Sequence, residues 1–437
     1  HNPAGPVHGA IHWGHAVSRD LVHWEHWPVA LAPTPGGPDQ DGCWSGCAVD
    51  NAGVPTLIYT GVYPQAVCLA TGSADLRRWE KHPANPVIPG PPAELAAGSG
   101  GHFRDPFVWR AAGQWHMVIG SKVEGRGGLI LHYRSPDLLQ WAYQGVLLEG
   151  DPSQTEPVWT GTMWECPNLF ELDGRHLLFF SVQAAPTDLL YPVYYTGDYT
   201  GRQFHPARQG ILVHGRTFYA PLALRLADGR LVMWGWLKEA RSPEACREAG
   251  WAGVMSLPIA LSLTPEGALR LEPVAELKAL RRGHWRFEEI RLAPGRRGWL
   301  NGLQGDSLEI EAVFEPDPAA EFGLQMLCSP DGQEQTRLVY NGPERRLILE
   351  RNDSSLSAGV DRATQEAPLS LDERGELRLH IFLDRSVLEI FANAHTGLVG
   401  RAYPTRPDSL GLDLFVRRGE VRLKSMSVWS LGSIWEE

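Results

Sequence analysis

The feature that most constrains the fold is a seven-residue pattern that occurs three times. Residues 18–24, 73–79 and 135–141 share Ser-x-Asp-Leu-x-x-Trp, at spacings of 55 and 62 residues. Ser and Asp favour a local turn, and the Leu and Trp would fix that turn on a core. Residues 197–199, Gly-Asp-Tyr, are interpreted as a degenerate fourth copy. This period is typical of β-propeller blades, so the sequence predicts an all-β ring of blades.

A second set of motifs recurs at the same period but at a different phase. Asp105 lies 60 residues after Ser45, Glu165 lies 60 residues after Asp105, and Tyr219 follows in the next repeat. Equivalent positions on successive blades surround one axis, so we expect these four side chains to meet in a single funnel. Asp-Gly at 173–174, between apolar runs, predicts a hairpin that continues from the Glu165 strand.

The position of the inner strand relative to the turn pattern can also be extrapolated to the first blade. The first copy of the turn pattern begins at Ser18, so its inner-strand partner should lie upstream of His1. We therefore expect the first blade to be truncated in residues 1–437.

Composition excludes several classes of partner. The net charge of −11 argues against nucleic acid, and no apolar run approaches the roughly 20 residues of a membrane helix. The six cysteines form no Cys-x-x-Cys pair or regular framework, so neither zinc nor a disulfide scaffold is indicated. Unpaired thiols slightly favour a cytoplasmic over a secreted location. No metal or organic cofactor is implied.

The pattern changes after residue 283. Short alternating strands with Gly and Asp turns follow, which predicts an antiparallel β-sandwich. We therefore divide the chain into a five-bladed propeller over 1–283, a linker over 284–296 and a sandwich over 297–437.

Two carboxylates stand out as candidates for chemistry. Asp105 follows Arg104 and precedes a proline, and Glu165 lies between Trp164 and Cys166 at the start of a strand. Paired carboxylates across a sugar-sized gap suit glycosidic cleavage, and an Arg beside Asp105 would keep that group ionised. The alternatives are an Asp-Pro turn for Asp105 and a salt bridge at a strand end for Glu165.

Motifs along almost the whole chain, in order, resemble those of glycoside hydrolase family 32, the invertases, levanases, inulinases and other β-fructosidases. The matching segments are Trp-Gly-His-Ala-Val-Ser at 13–18, Trp-Ser-Gly at 44–46, Phe-Arg-Asp-Pro at 103–106, Trp-Glu-Cys-Pro at 164–167, Phe-Tyr-Ala-Pro at 218–221, Gly-Trp at 235–236 and 382–391 near the C-terminus.

The resemblance implies a five-bladed propeller joined to a β-sandwich, and retaining cleavage of terminal β-D-fructofuranosides such as sucrose or short fructooligosaccharides. Glu165 would be the general acid/base, and Asp105 would be the transition-state stabiliser that binds fructosyl hydroxyls. The remaining implied substrate-binding residues are Trp44, Ser45, Arg104, Cys166, Asn2, His8, Tyr219 and Trp236.

The sequence departs from the family pattern at several positions. The nucleophilic Asp of Asn-Asp-Pro-Asn-Gly is not in residues 1–437, because Asn2 is followed by Pro3, so we expect the chain as given to be inactive or nearly so. Asn168 and Thr217 stand where Asp is usual, and His8 stands where an aromatic often lines the rim.

Two other functions remain open from the sequence. A non-catalytic sugar-binding propeller is favoured by the missing nucleophile, whereas the retained Asp105 and Glu165 argue against it. A related five-bladed arabinan- or xylan-cleaving glycosidase is the other alternative, and the Trp-Ser-Gly motif and the C-terminal sandwich argue against it. We expect a small carbohydrate substrate and a monomer or homodimer.

Overall fold

The structure is a computed structural model that describes residues 1–300 and 302–435. Residues 1–273 form five β-sheets, the blades, and residues 281–431 contribute the strands of two further sheets that enclose one apolar core. The architecture is the predicted one, a five-bladed β-propeller followed by a β-sandwich.

Blades two to four are four-stranded antiparallel meanders, whereas two strands form the first sheet and five form the last. Two short helices, α1 (Ala93–Ser99) and α2 (Pro243–Ala249), connect strands. The strands are β1 (Trp13–Ser18) and β2 (Trp24–Leu31) in blade one; β3 (Gly42–Asn51), β4 (Val54–Val62), β5 (Ala66–Gly72) and β6 (Trp79–Lys81) in blade two; β7 (Phe103–Ala111), β8 (Gln114–Val123), β9 (Gly127–Ser135) and β10 (Ala142–Glu149) in blade three; β11 (Met163–Leu172), β12 (Arg175–Ala185), β13 (Asp188–Tyr199) and β14 (Phe204–Ile211) in blade four; and β15 (Phe218–Arg225), β16 (Leu231–Leu237), β17 (Val254–Met255), β18 (Ile259–Leu263) and β19 (Leu269–Pro273) in blade five.

The repeated seven-residue pattern forms the same turn in each of its three copies, joining β1 to β2, β5 to β6 and β9 to β10. The central residues Leu21, Leu76 and Leu138 have φ angles of +67°, +60° and +70°. Such angles are unusual for Leu. In each copy the Ser hydroxyl donates to the Asp two residues later, at 3.1, 2.6 and 3.2 Å. The repeat is therefore a repeat of backbone conformation, held by its own side chains.

The degenerate fourth copy does not form this turn. Residues 197–199 lie inside β13, and the link to β14 is a shorter turn closed by the Thr200 N–H donating to the Gln203 carbonyl at 3.0 Å. Without the Ser and Leu of the pattern, the chain uses a local Thr turn instead.

The innermost strand of blades two to five contains a β-bulge near its start. Pairing with the neighbouring strand shifts register at Ser45 in β3, and after Arg104, Glu165 and Tyr219 in β7, β11 and β15. In the last three blades the next residue has a positive φ, between +47° and +63°, and precedes a proline. Proline cannot donate to the ladder, and a bulge redirects the side chains around it.

The bulges show that the 60-residue alignment is off by one residue. Asp105 occupies the same bulge position as Cys166, whereas Glu165 occupies the last paired position, the same as Arg104. The prediction that Asp105 and Glu165 are equivalent is therefore wrong in detail. Glu165 and Tyr219 still meet through a side-chain hydrogen bond, and Asp105 lies beside Glu165.

Each of these bulges also binds to the blade before it. The Asp105 N–H donates to Thr60 Oγ1 at 2.8 Å, the Cys166 N–H to Asp105 Oδ2 at 3.0 Å, and the Ala220 N–H to Ser181 Oγ at 2.9 Å. The acceptors come from blades two, three and four in turn. In blades three to five, the backbone N–H freed by the bulge thus connects adjacent blades.

The sandwich consists of two antiparallel sheets whose facing side chains form a continuous apolar core. One sheet has the order β20-β30-β21-β26-β27-β28, and the other β25-β24-β23-β22-β29. The strands are β20 (Arg281–Leu292), β21 (Ser307–Pro316), β22 (Glu321–Cys328), β23 (Thr336–Asn341), β24 (Arg346–Glu350), β25 (Gln365–Pro368), β26 (Leu377–Asp384), β27 (Val387–Ala392), β28 (Thr396–Arg401), β29 (Gly411–Arg418) and β30 (Val421–Leu431).

The connection between the two domains differs from the predicted linker over 284–296. A 3₁₀ helix, Ala275–Leu280, links them, and most of 284–296 lies in β20, which pairs along its length with β30. The polar, Arg- and Glu-rich sequence of β20 hid this strand, because its side chains are mostly exposed. The structural transition is therefore nearer to 273–281 than to 284–296.

The two domains contact each other through backbone as well as side chains. The His214 N–H donates to the Gly397 carbonyl at 2.8 Å, and the Leu271 N–H to the Ala394 carbonyl at 2.8 Å. In addition, the Glu389 carboxyl accepts the Leu257 N–H at 2.9 Å. Polar bonds of this kind fix the orientation of two surfaces more strictly than apolar packing alone.

Candidate active site

Glu165 lies near the start of β11 with its side chain directed into the funnel. Its Oε1 accepts a hydrogen bond from Arg104 Nε at 2.9 Å, and its Oε2 accepts one from the Tyr219 hydroxyl at 2.6 Å. The Glu165 side chain keeps 15% of its surface exposed. Both carboxylate oxygens are therefore fixed by neighbouring blades while the group stays open to the funnel.

Asp105 is buried beside Glu165, and its Oδ2 accepts the Cys166 N–H at 3.0 Å. Burial raises the pKa of Asp105 above its usual range, and the negative charge of Glu165 adds to this against the opposing charge of Arg104. Arg104 Nε is 3.9 Å from Asp105 Oδ2. The expectation that Arg104 keeps Asp105 ionised is corrected: burial raises the pKa of Asp105 by more than the charge of Arg104 lowers it, and the Arg104 hydrogen bond goes to Glu165.

Arg104 is almost fully buried and makes contacts on all sides of its guanidinium group. Nη1 donates to His102 Nδ1 at 2.8 Å and to Gln65 Oε1 at 3.3 Å. Burial, with the charges of Arg104 and Lys122, lowers the pKa of His102 to about 4, so this ring is neutral and can accept from Arg104. These contacts fix the guanidinium in one place, and through it the Glu165 carboxylate.

One wall of the funnel comes from blade two and the N-terminal segment. His8 packs edge-on against Trp44, with 5.5 Å between ring centroids, and Trp13 Nε1 donates to the Trp44 carbonyl at 3.0 Å. The Ser45 carbonyl accepts the Thr60 hydroxyl at 3.0 Å, and the same hydroxyl accepts the Asp105 N–H. Trp44 and Ser45 are thus linked to the carboxylates through the backbone and Thr60.

Asn2 has a different environment from the other predicted site residues. Its amide nitrogen donates to the Val7 carbonyl at 2.7 Å, and its Oδ1 accepts the Ala4 N–H at 3.0 Å. These bonds fold the N-terminal loop that carries His8. Within 1–300 and 302–435, the hydrogen bonds of Asn2 do not connect it to Asp105 or Glu165.

Cys166 and Trp236 complete the predicted set. Cys166 is buried beside Asp105, and burial raises its pKa well above that of a free thiol, so the sulfur stays protonated. Trp236 pairs with Tyr219 across β15 and β16, so both side chains leave the same face of blade five. Trp236 is 41% exposed at the mouth of the funnel.

Asn168 stands where the family pattern has Asp, and its amide both donates and accepts hydrogen bonds. Its amide nitrogen donates to the Cys166 carbonyl at 3.0 Å and the Pro221 carbonyl at 3.2 Å, while its Oδ1 accepts the Ala223 N–H at 3.2 Å. An ionised Asp could accept but not donate. The substitution therefore joins the bulges of blades four and five directly.

Sequence reasoning missed Thr60, Gln65, His102 and Lys238. Lys238 Nζ lies 4.7 Å from the centre of the Tyr219 ring and donates to the Leu189 carbonyl at 2.7 Å, and burial lowers its pKa to about 8. The available signal was position: Thr60 pairs with Trp44 on the neighbouring strand, and His102 and Lys238 lie two residues from motif positions.

A possible metal-binding group in the described residues lies outside the funnel. Glu309, Glu311 and His380 cluster on the sandwich, but Arg281 donates to both carboxylates and His380 binds Glu309. The Arg281 guanidinium therefore already supplies the positive charge at this cluster. In the described part of the chain, no helix is long and apolar enough to cross a membrane.

A propeller funnel that holds two acidic side chains, an Arg and exposed aromatics defines a glycosidase site. Residues 1–273 match the model of the glycosyl hydrolases family 32 N-terminal domain, and residues 276–430 match that of the family 32 C-terminal domain. The chain belongs to glycoside hydrolase family 32. It is a glycosidase that acts on β-fructosides.

Three similar proteins illustrate the relationship. A sucrose-6-phosphate hydrolase of Zymomonas mobilis is 36% identical, with 98% of this chain and 86% of that protein aligned. A raffinose invertase of Escherichia coli is 33% identical over 99% of this chain and 88% of its own. The crystal structure of a Cichorium intybus fructan 1-exohydrolase with 1-kestose superposes with a TM-score of 0.88 at 26% identity, covering 100% of this chain and 92% of that one.

Proposed function

We propose that Glu165 is the general acid/base of a retaining hydrolysis of terminal β-D-fructofuranosides, with sucrose or short fructooligosaccharides as substrates. The observation that carries this proposal is the bonding of Glu165. Arg104 and Tyr219 hold its two oxygens from the blades on either side, yet its edge remains open to the funnel. A proton donor must be held within reach of the leaving oxygen, and this arrangement does so.

Asp105 binds the fructosyl unit in this proposal. Its Oδ2 is occupied by the Cys166 N–H, and among the described residues no donor is bonded to Oδ1. A carboxylate oxygen free to accept from sugar hydroxyls would strengthen its bonds as positive charge develops at the anomeric carbon. No described residue is assigned as the nucleophile.

The aromatic wall supplies apolar contact to the sugar. Trp44, with His8 against its edge, comes from blade two, and Trp236, next to Tyr219, comes from blade five. Sugar sites commonly combine aromatic faces with a few fixed polar groups. Ser45, Cys166 and Asn2 belong to this site in the proposal, Asn2 through the loop that it folds. We further propose that the protein acts as a monomer or homodimer.

Sucrose 6-phosphate is a second candidate substrate. The observation in its favour is the 36% identity, over nearly the whole chain, to a sucrose-6-phosphate hydrolase. The matched family is 32, which leaves an arabinan- or xylan-cleaving function without support.

The test is release of fructose from sucrose, sucrose 6-phosphate, raffinose and 1-kestose, with the anomeric configuration of the product followed by NMR. The assay includes a form extended before His1, because the resemblance implies a nucleophilic Asp that residues 1–437 do not contain. Initial release of β-fructose that is lost in Glu165→Gln supports the proposal. Binding of these sugars with no hydrolysis by either form would instead favour a non-catalytic sugar-binding propeller.

A further inference from the structure

Blade five exposes a group of large apolar side chains at the mouth of the funnel. Trp236 and Trp251 are each 41% exposed, and Met255 is 65% exposed. Trp236 on β16 pairs with Met255 on β17. We call Trp236, Trp251 and Met255 the rim cluster. Exposed aromatic groups next to a site are often binding surfaces.

The rim cluster lies on the acid/base side of the site. Trp236 is the cross-strand partner of Tyr219, and the Tyr219 hydroxyl donates to Glu165 Oε2. The general acid protonates the oxygen of the leaving group, so the leaving group must lie on the same side as Glu165. The rim cluster is therefore on the side of the site where the leaving group lies.

Two arginines hold Trp251 in place, Arg241 from blade five and Arg401 from the sandwich domain. Arg241 stacks on the Trp251 ring at 4.2 Å and its Nη2 donates to the Trp251 carbonyl at 3.1 Å. Arg401, on β28, lies 5.6 Å from the same ring. Both guanidinium groups donate to Glu239, at 2.8 and 3.0 Å. This network fixes an exposed Trp at low conformational cost, which a binding platform requires.

Further bonds fix the segment that carries the cluster. The Tyr403 hydroxyl donates to Glu239 Oε2 at 2.6 Å, and Glu239 Oε1 accepts the Gly253 N–H at 2.8 Å. A Cβ on Gly253 would lie 2.4 Å from Trp236 Nε1, so only Gly allows this close approach. One carboxylate, Glu239, thus connects the sandwich domain to the backbone against which Trp236 packs.

We propose that the rim cluster is a leaving-group subsite that binds two successive hexose rings, the first on Trp236 and the second on Trp251. This inference rests on the proposed function of Glu165. The ligand is the part of a trisaccharide or longer fructoside that extends away from the fructosyl unit. Aromatic rings bind the apolar faces of sugars, and the exposed Met255 extends that surface.

The test compares sucrose with raffinose, whose leaving group is one hexose longer. Binding is measured by calorimetry in a Glu165→Gln background, so that neither sugar is hydrolysed. We expect raffinose to bind about tenfold more tightly than sucrose, and Trp251→Ala to remove that advantage while changing sucrose affinity less than about twofold. Trp285→Ala, which removes a 39% exposed Trp from the sandwich, is the matched control and should leave both affinities unchanged.

Met255→Ala serves as a second variant, because its exposed side chain can be removed without disturbing the fold. It should reduce the raffinose advantage by about twofold to threefold. Equal affinity for the two sugars in the parent protein, or an unchanged raffinose advantage in folded Trp251→Ala, would overturn the inference. Failure to bind or hydrolyse sucrose at all would overturn the proposed function instead.

Discussion

Two features recur around the propeller: the Ser-x-Asp-Leu-x-x-Trp turns, called here the outer turns, and the β-bulges of the innermost strands, called the inner bulges. The outer turns conserve side chains, whereas the inner bulges conserve backbone conformation. The outer turns keep the same residue types and the same left-handed Leu in three blades. The inner bulges keep their backbone geometry while the residue before the bulge changes from Arg104 to Glu165 to Tyr219. Constant side chains indicate a structural role, whereas a constant backbone with varied side chains indicates a site.

The largest effect should follow substitution at an inner bulge. Glu165→Gln keeps the shape of the side chain and its bond from Arg104 but removes the acid, so we expect a loss in kcat of about 10²- to 10⁴-fold. Glu171→Gln, at an exposed position further along β11, is the matched control and should keep full activity. Steady-state kinetics on sucrose decide the matter; here and in the predictions below, activity is measured on the form extended before His1. Equal losses in both variants would contradict the comparison.

Asp105→Asn should reduce activity and raise stability. Burial raises the folded-state pKa of Asp105 above its unfolded value, so its contribution to stability is present at low pH and is lost as pH rises through the folded-state pKa. The variant should therefore have a higher Tm than the parent at pH 8, with a smaller difference at pH 4, and a loss in kcat of at least about 10²-fold.

Thermal unfolding across this pH range checks the Asp105 prediction. A variant that is less stable than the parent at pH 8 would show that the bond to the Cys166 N–H outweighs the cost of burying the charge. In that case Asp105 would have a structural role, as the outer turns have, in addition to its role in the site.

Substitution in an outer turn should change stability alone. Asp137 accepts the N–H groups of the two residues after Leu138, at 3.0 and 2.9 Å. Asp137→Ala should lower the free energy of unfolding by about 1 kcal/mol and leave kcat/KM unchanged. Gln140→Ala in the same turn is the control and should change neither quantity. A clear loss of activity in Asp137→Ala would remove the distinction between the two repeats.

The smallest effect concerns buried histidines far from the funnel. Burial, with His116 and Arg134 nearby, lowers the pKa of His132 to about 3, and burial lowers that of His214 to about 4. Stability from these neutral rings is present above pH 6.5 and is lost as pH falls towards their folded-state pKa values. We expect Tm to fall between pH 7 and pH 5, and His132→Gln to reduce that slope; an unchanged slope would contradict this.

Local signals in the sequence were sufficient for much of the fold. Asp173 and Gly174 form the expected hairpin turn, both with positive φ, and strands Arg346–Glu350 and Val387–Ala392 have the bounds that alternation predicts. The position of β20 was missed, because an exposed strand paired mainly through its backbone leaves little apolar pattern.

The candidate residues could be named from sequence, but their partners could not. The 60-residue spacing misaligned Asp105 with Glu165 by one position, because a bulge adds a residue to one strand. The proline after each bulge residue marks the correct alignment, in which Asp105 matches Cys166. Arg104 and Glu165 are 61 positions apart in the sequence, and Glu239 and Tyr403 are 164 positions apart. Such contacts depend on how the blades and domains pack, which local patterns do not contain.

At the bulges of blades three and five, the freed backbone N–H is received by a hydroxyl, whereas at blade four it is received by Asp105. Under the proposed function, Asp105 therefore both joins blades three and four and binds the substrate. A change of specificity that replaces Asp105 with a residue unable to accept the Cys166 N–H also weakens the junction between blades three and four. Trp44 and Trp236 are not acceptors for these bulges, so they can be substituted without loss of a bond between blades. Substrate preference can therefore be changed with least effect on stability at these aromatic residues.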